Sequence, residues 1–179
     1  MKITIFWLAW SGTSTIWKLL SEKLEYEFMS SWNIMRQWAS DLWYSLYDFE
    51  SEYIKNDDSF DKNLDTKVRE YWLNNDDFIF ESRLAWYFIP DSFKIYLKCD
   101  ESIRYNRIQK REAIPLVEVI EKNQKREKQL VTRYAKIYPQ IEFPPNDTIF
   151  DLLIDVDSIT PEEVIDLIMK NIWAYYMTF

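Results

Sequence analysis

The sequence holds a single glycine, Gly12, and no histidine in 179 residues. At ordinary usage of roughly 7%, about a dozen glycines are expected. An α/β domain needs them at turns, helix exits and close backbone approaches, so their loss is not neutral. The lack of histidine removes the usual general base and the commonest metal ligand. Chemistry is left to carboxylates, arginines, hydroxyls, main-chain amides or a bound ion. One cysteine, Cys99, excludes a disulfide framework and fits a reducing compartment. No apolar run approaches the ~18 residues of a membrane span. The apolar start, Lys2 to Trp10, is short and has no A-x-A-like site behind it, which argues against a signal peptide. The formal charge of −8 argues against a general binder of nucleic-acid polymers. It leaves room for a small anion held by a local group of arginines.

What is present in excess is tryptophan: nine, at positions 7, 10, 17, 32, 38, 43, 72, 86 and 173. The set follows neither a helical nor a strand period, so it is not one buried stripe. Several members stand where glycine is expected. Trp7 and Trp10 lie in a loop, Trp43 follows a helix, and Trp72 is read as closing another helix ahead of Asn74-Asn75-Asp76.

The loop organises the chain. Lys2 to Phe6 reads as a buried strand and Ser14 to Leu24 as a helix with Ile16, Leu19, Leu20 and Leu24 on one face. Strand, tight loop and helix in that order form the scaffold of a phosphate-binding loop, G-x-x-x-x-G-K-[ST], whose amides wrap phosphate oxygens. Gly12 stands at its second glycine and Ser14 at its metal-binding hydroxyl, but Trp7 occupies the first glycine position and Thr13 the lysine position.

Further along, short strands are expected at 26–29, 77–81, 93–97 and 151–155. Helices are expected at about 33–42, 45–56, from 57–59 onward, from Asp100, over 116–138, and from the Thr160-Pro161-Glu162-Glu163 capping box to about Asn171. Strands interleaved with helices indicate an α/β fold with a five-stranded parallel sheet in a three-layer sandwich. Ligands of such sheets bind beyond the carboxyl ends of the strands, where the 7–15 loop, Glu81 to Arg83 and Cys99 would lie. With no repeat, linker or low-complexity run, the chain reads as one domain over 1–179.

These residues resemble the archaeal-type cytidylate kinases among the P-loop nucleoside monophosphate kinases. The likeness covers nearly the whole chain. It is carried by Leu8 to Thr15, Ser30 to Gln37, Glu81 to Trp86, Arg107 to Glu112, Arg133-Tyr134 and Asp151 to Glu163. Threonine at the lysine position conforms to that family. Glycine is the family residue at Trp7, Trp10, Trp32, Trp43 and Trp86, and Ser82 stands at one more such position. Our hypothesis is that most of these tryptophans are UGA codons which the native organism reads as glycine. UGG codons at 7, 10, 17, 32, 43 and 86 in the gene would end it. Trp38 and Trp173 are the weakest cases.

The resemblance implies transfer of the ATP γ-phosphoryl group to CMP or dCMP by a cytoplasmic monomer with Mg²⁺, its partners being small nucleotides. It implies an ATP-binding loop of Trp7, Leu8, Ala9, Trp10, Ser11, Gly12, Thr13, Ser14 and Thr15, with Ser14 on the metal. Acceptor-binding helices would span about 31–75, with Ser31, Arg36, Glu81 and Arg83 on the acceptor. A helical lid over about 104–138 would bring Arg107, Arg111, Arg126 and Arg133 onto the transferring group, replacing the missing lysine charge. Residue spacing alone leaves a plainer reading open. Arg104, Arg107 and Arg111 share a helix face, and so do Lys122, Arg126 and Arg133, but interspersed Glu112, Glu118, Glu121 and Glu127 would equally make a solvated, ion-paired surface. Ser31 serves as well for capping, Arg36 as an exposed charge, and Asp57, Asp58 and Asp61 as helix N-terminal charge. Cys99 reads as packed at a strand end. Competing functions are a kinase for another small acceptor, and a non-catalytic kinase-like scaffold if the loop indoles are genuine. An aromatic single-strand binder is disfavoured by the acidic charge.

Overall fold

The computed structural model describes residues 1–8, 13–44, 49 and 59–177, with the side chains of 13, 14 and 176 excepted. In chain order the elements are β1 (Lys2–Trp7), α1 (Thr13–Leu24), β2 (Glu27–Ser30), α2 (Ser31–Asp41), α3 (Ser59–Asn74), β3 (Phe78–Glu81), α4 (Ala85–Phe88), β4 (Phe93–Lys98), α5 (Glu101–Glu112), α6 (Leu116–Ile137), β5 (Leu152–Asp155) and α7 (Pro161–Tyr176). A 3₁₀ turn, Asp147–Ile149, precedes β5. The strands form a five-stranded sheet in the order β2-β3-β1-β4-β5, with parallel pairing of β1 and β2 on β3 and of β5 on β4. No described helix is long and apolar enough to cross a membrane.

By its internal contacts the chain divides into two compact units, residues 1–6 with 21–93 and residues 7–20 with 94–179. In the first, Ile3, Ile5, Phe78, Ile79 and Phe80 are wholly buried strand residues. Helix α3 lays Tyr71 against Phe78 and Phe80, with ring centroids 5.0 and 5.8 Å apart. Helix α2 packs on α3 through Trp38, which meets Phe60 edge-on at 5.2 Å. In the second unit Ile95, Leu97, Ile154, Val164 and Ile168 are buried. Helices α5 and α6 close a small core of Tyr105, Ile108 and Val119.

The helix starts are capped. Ser30, and not Ser31, accepts from the Asn33 N–H at 3.0 Å, Asp100 caps α5, and Thr160 and Glu163 complete the expected capping box of α7. Two expectations are corrected. Helix α3 runs on to Asn74, so Trp72 lies inside its last turn and supports Lys2, whose ammonium is 5.7 Å from the indole. Helix α7 continues past the expected end at about Asn171 to Tyr176, because Ile172 stays buried one turn beyond Ile168. The helix expected over 45–56 lies outside the described residues except for Phe49, as do Asp57, Asp58 and Phe179.

One tryptophan occupies a backbone that glycine would favour. Helix α2 ends in a Schellman motif: Tyr44 N–H reaches Ala39 O at 2.9 Å and Trp43 N–H reaches Ser40 O at 3.0 Å. Trp43 stands at the left-handed position with φ 61°, and its indole is 97% exposed. The ring contributes almost no burial in return for the strained backbone. Glu25, at the exit of α1, is likewise left-handed at φ 56°.

Candidate active site

Trp7 and Leu8, both half-buried, and helix α1 from Thr13 to Leu20 belong to the second unit. Ala9, Trp10, Ser11 and Gly12 lie outside the described residues, as do the Thr13 and Ser14 side chains. Thr15 is exposed, while Ile16, Trp17 and Leu20 are buried and fix the helix. The first turn of α1 carries no acidic residue. Its free N–H groups and positive dipole end therefore meet no competing carboxylate of their own helix, which fits a bound phosphate.

The arginines of α5 and α6 share a spacing but not a role. Arg104 is buried and pairs with Glu127 at 2.9 Å. Arg107 is half-buried; its Nη2 donates to the carbonyls of Val156 at 2.7 Å and Asp157 at 3.1 Å, and Nη1 to Cys99 Sγ at 3.4 Å. Arg111 is exposed and paired with Glu112 at 2.6 Å. Lys122 pairs with Glu118 at 2.5 Å. Arg126 and Arg133 are half-buried on α6, and the Arg133 guanidinium lies 5.9 Å from the Tyr134 ring centre. The two strand ends behind Arg107 are interlocked: Asp100 N–H donates to Asp157 Oδ1 at 2.7 Å, and Val156 N–H to Lys98 O at 2.8 Å. Burial, and then the hydrogen bond with Asp157, push the Cys99 thiol up to about 11. A neutral thiol suits packing and makes a poor nucleophile.

In the first unit, Ser30 and Glu81 end their strands in register with one another, and Glu81 is also in register with Ile5. Glu81 is buried. Ser31 opens α2 directly after Ser30. It is 9% exposed, and its Oγ has no hydrogen-bond partner among the described residues. Arg36, one turn on, is exposed over the Trp32 ring at 5.7 Å. Arg83 is half-buried, and its carbonyl accepts the Trp86 indole N–H at 2.9 Å. Ser31, Glu81 and Arg83 thus all follow the carboxyl ends of β2 and β3, where α/β sheets bind ligands.

Asp61 does more than supply the helix N-terminal charge expected of it, and Asp65, which the sequence does not single out, joins it. Asp61 is 4% exposed in the first turn of α3, and Asp65 buries an oxygen, Oδ2, that accepts no hydrogen bond among the described residues. Burial, then the charge of Asp61, push Asp65 up to about 8 against the opposing charge of Arg69. The available signal was their placement, one turn apart, in a helix whose neighbouring positions Phe60, Leu64 and Val68 are apolar. A cleft of about 520 Å³ lined by Trp38, Leu42, Phe60, Asn63 and Lys67, among others, includes no strand-end residue and does not belong to this site. No group of three or more metal-ligating side chains occurs among the described residues.

A family profile described as an AAA domain matches residues 8–129. The chain is 34% identical over 172 residues to a cytidylate kinase of Methanobrevibacter smithii, covering 96% of this chain and 98% of the relative. It is 32% identical over 173 residues to a cytidylate kinase of Archaeoglobus fulgidus, covering 96% and 94%. The fold is similar to that of shikimate kinase from Acinetobacter baumannii, with a TM-score of 0.64 at 14% identity over 97% of this chain and 93% of that one. A sheet ordered β2-β3-β1-β4-β5 behind an acid-free helix start, in a chain matched nearly end to end by such relatives, belongs to the cytidylate kinase family of P-loop kinases.

Proposed function

We propose that the protein transfers the γ-phosphoryl group of ATP to CMP or dCMP, giving ADP and CDP or dCDP. The observation that carries this reading is the likeness to the Methanobrevibacter cytidylate kinase along 96% of the chain. Transfer of a phosphoryl group asks the protein mainly for positioning and charge stabilisation. The start of α1 and the 7–15 loop hold the donor phosphates through main-chain N–H groups. Thr13 adds a hydroxyl but no charge, so the cationic contribution falls to arginines. Arg111, Arg126 and Arg133 supply it, with planar forks that match phosphate oxygens. Arg107 works beside them by fixing the turn after β5. Ser31, Arg36, Glu81 and Arg83 receive the acceptor, the arginines taking its phosphate.

Mg²⁺ would be held through the hydroxyl of Ser14, and when bound it would neutralise charge on the donor phosphates. The working unit is one kinase domain with acceptor helices at about 31–75 and a lid at about 104–138. It acts as a monomer on small nucleotides and not on nucleic-acid polymers. A free thiol at Cys99 suits the reducing cytoplasm.

Coupled ADP-release assays with ATP and each of CMP, dCMP, UMP and AMP test the proposal. Turnover highest with CMP or dCMP supports it, and turnover confined to AMP or to a non-nucleotide acceptor defeats it. A second reading, a scaffold impaired in catalysis, is favoured for the chain bearing indoles at 7 and 10. The left-handed Trp43 supports the view that tryptophan stands in this chain where glycine belongs.

A further inference from the structure

Helix α5 hangs from one residue of the turn after β5. Strands β4 and β5 end in register at Lys98 and Asp155, and Val156 N–H adds a last bond to Lys98 O at 2.8 Å. Past that point a side chain takes over from the ladder. Asp157, half-buried, accepts the Asp100 N–H at Oδ1 at 2.7 Å, and its carboxylate also accepts from the Cys99 thiol. Asp100 is the N-cap of α5, and its own carboxylate receives the Ser102 N–H at 2.8 Å. A second carboxylate at this end of the helix meets the positive end of the helix dipole. Asp157 is itself held, because its N–H donates to Asp155 Oδ1 at 2.9 Å.

The same residue grips α5 a second time. Its carbonyl accepts from Arg107 Nη2 at 3.1 Å, beside the Val156 carbonyl at 2.7 Å. Arg107 stands two turns along the helix from Asp100, about 10 Å away. Two attachments that far apart fix the direction of a helix axis, where one would leave it free to pivot. The direction is passed on to α6. Arg104, between the two grips, pairs with Glu127 at 2.9 Å, and Tyr105, Ile108 and Val119 pack the helices together. The corner that joins them is stiff: Ala113 is left-handed at φ 54°, and Pro115 stands at φ −58°, which its ring fixes. Helices α5 and α6 thus form one rigid piece, and every residue of this chain of contacts belongs to the second unit.

We propose that Asp157 is a positioning residue for phosphoryl transfer: its carboxylate, through the Asp100 N–H, sets the tilt of the α5–α6 pair and with it the placement of Arg111, Arg126 and Arg133. This rests on the reading of the protein as a nucleoside monophosphate kinase, in which those arginines meet the transferring group. Guanidinium groups act on that group only at hydrogen-bond distance, and a misplacement of about 1 Å costs up to about a hundredfold in rate. Without the carboxylate, α5 would hang from the bonds of Arg107 alone, and its N-terminal turn would swing.

The test compares Asp157→Ala and Asp157→Asn in the full chain, each also combined with Trp7→Gly and Trp10→Gly to open the loop. Asp157→Ala should quicken amide exchange at Asp100 by about tenfold or more. It should lower kcat with ATP and CMP by about tenfold, while CMP affinity in calorimetry changes less than about twofold. Asp157→Asn keeps an oxygen for the Asp100 N–H and should bring kcat back to within about threefold of the parent. Both variants remove the negative charge beside Cys99, so the pH profile of thiol alkylation should shift to lower pH in each. Geometry and charge are thereby read apart. Unchanged exchange at Asp100 or unchanged kcat in Asp157→Ala overturns the positioning role and leaves the kinase reading standing, as does a kcat loss that Asp157→Asn fails to restore. A loop-opened parent that turns over no nucleoside monophosphate overturns the kinase reading and this inference with it.

Discussion

Arg104 and Glu127 join helices α5 and α6 by a 2.9 Å ion pair in which the arginine side chain is only 6% exposed. The pair settles which arginine of the α5 face is structural. Glu127→Ala would leave a buried guanidinium without this carboxylate, and loss of about 3 kcal/mol is expected. Arg104→Met with Glu127→Leu should recover most of it, since apolar replacement of both partners removes the buried charge altogether. Urea unfolding of the three proteins checks this. Stability in Glu127→Ala equal to that of the parent would place the helix pairing on Tyr105, Ile108 and Val119 alone.

Arg107 is expected to behave differently from its neighbours. Its guanidinium is engaged by the carbonyls of Val156 and Asp157, so it holds a turn. Arg107→Ala should raise the KM for ATP by about tenfold with a smaller fall in kcat, because a loosened turn affects positioning. Amide exchange at Val156 and Asp157 should quicken. Arg126→Ala and Arg133→Ala should instead lower kcat by about a hundredfold with CMP binding retained, as expected for removing charge from the transferring group. A kcat collapse in Arg107→Ala with unchanged exchange would move Arg107 back among the lid residues that touch phosphate.

Asp65 gives stability a pH dependence of unusual sign. Its folded value of about 8 lies far above the ordinary 3.8, chiefly through burial and then through the charge of Asp61. The native state keeps a proton that the unfolded chain releases. The contribution is therefore complete below about pH 4, and it is lost as pH rises towards about 8. Within that window the slope approaches about 1.4 kcal/mol per pH unit. Asp65→Asn should flatten it and unfold at higher urea than the parent at pH 7.5. Parallel pH profiles for the two proteins would show that the carboxyl titrates normally.

Much of this was legible in the sequence. Strands announced themselves as β-branched or aromatic runs, and helices by their caps: Ser30, Asp100 and Thr160 each form the bond that their position implies. The spacing of Arg104, Arg107 and Arg111 placed them on one face but could not assign partners. The half-buried carboxylate of Glu127 and the carbonyls of Val156 and Asp157 come from other segments of the chain, whereas Glu112 simply follows Arg111. Asp61 was read as helix N-terminal charge because that account suffices for any aspartate in a first turn. Only burial distinguishes it, and burial depends on tertiary packing that local sequence does not specify.

Trp43 separates indoles that the fold uses from those it does not. Its φ of 61° costs a bulky residue about 1 kcal/mol relative to glycine, and its exposed ring repays little of that. Trp43→Gly should raise stability by about that amount. Trp38→Gly should lower it, since Trp38 packs on Phe60 and glycine inside α2 is unfavourable. Urea midpoints of both variants test the contrast. Destabilisation by Trp43→Gly would mean that its indole does work in the folded state.

The sharpest consequence concerns the loop itself. Main-chain N–H groups reach phosphate only where no side chain intervenes, and the two positions that most need a bare backbone, 7 and 10, are written as tryptophan. Trp7→Gly with Trp10→Gly should therefore strengthen ATP binding by at least about tenfold and raise turnover with CMP. CMP binding alone should hardly change, because Ser31, Glu81 and Arg83 belong to the other unit. Ser14→Ala in that background should lower the Mg²⁺ dependence of ATP binding and leave the gain from the glycines partly intact. Calorimetry with ATP, with and without Mg²⁺, reads both effects. Tight ATP binding by the doubly indole-bearing chain, equal to that of the glycine variant, would show that the loop wraps phosphate without a bare backbone at these positions.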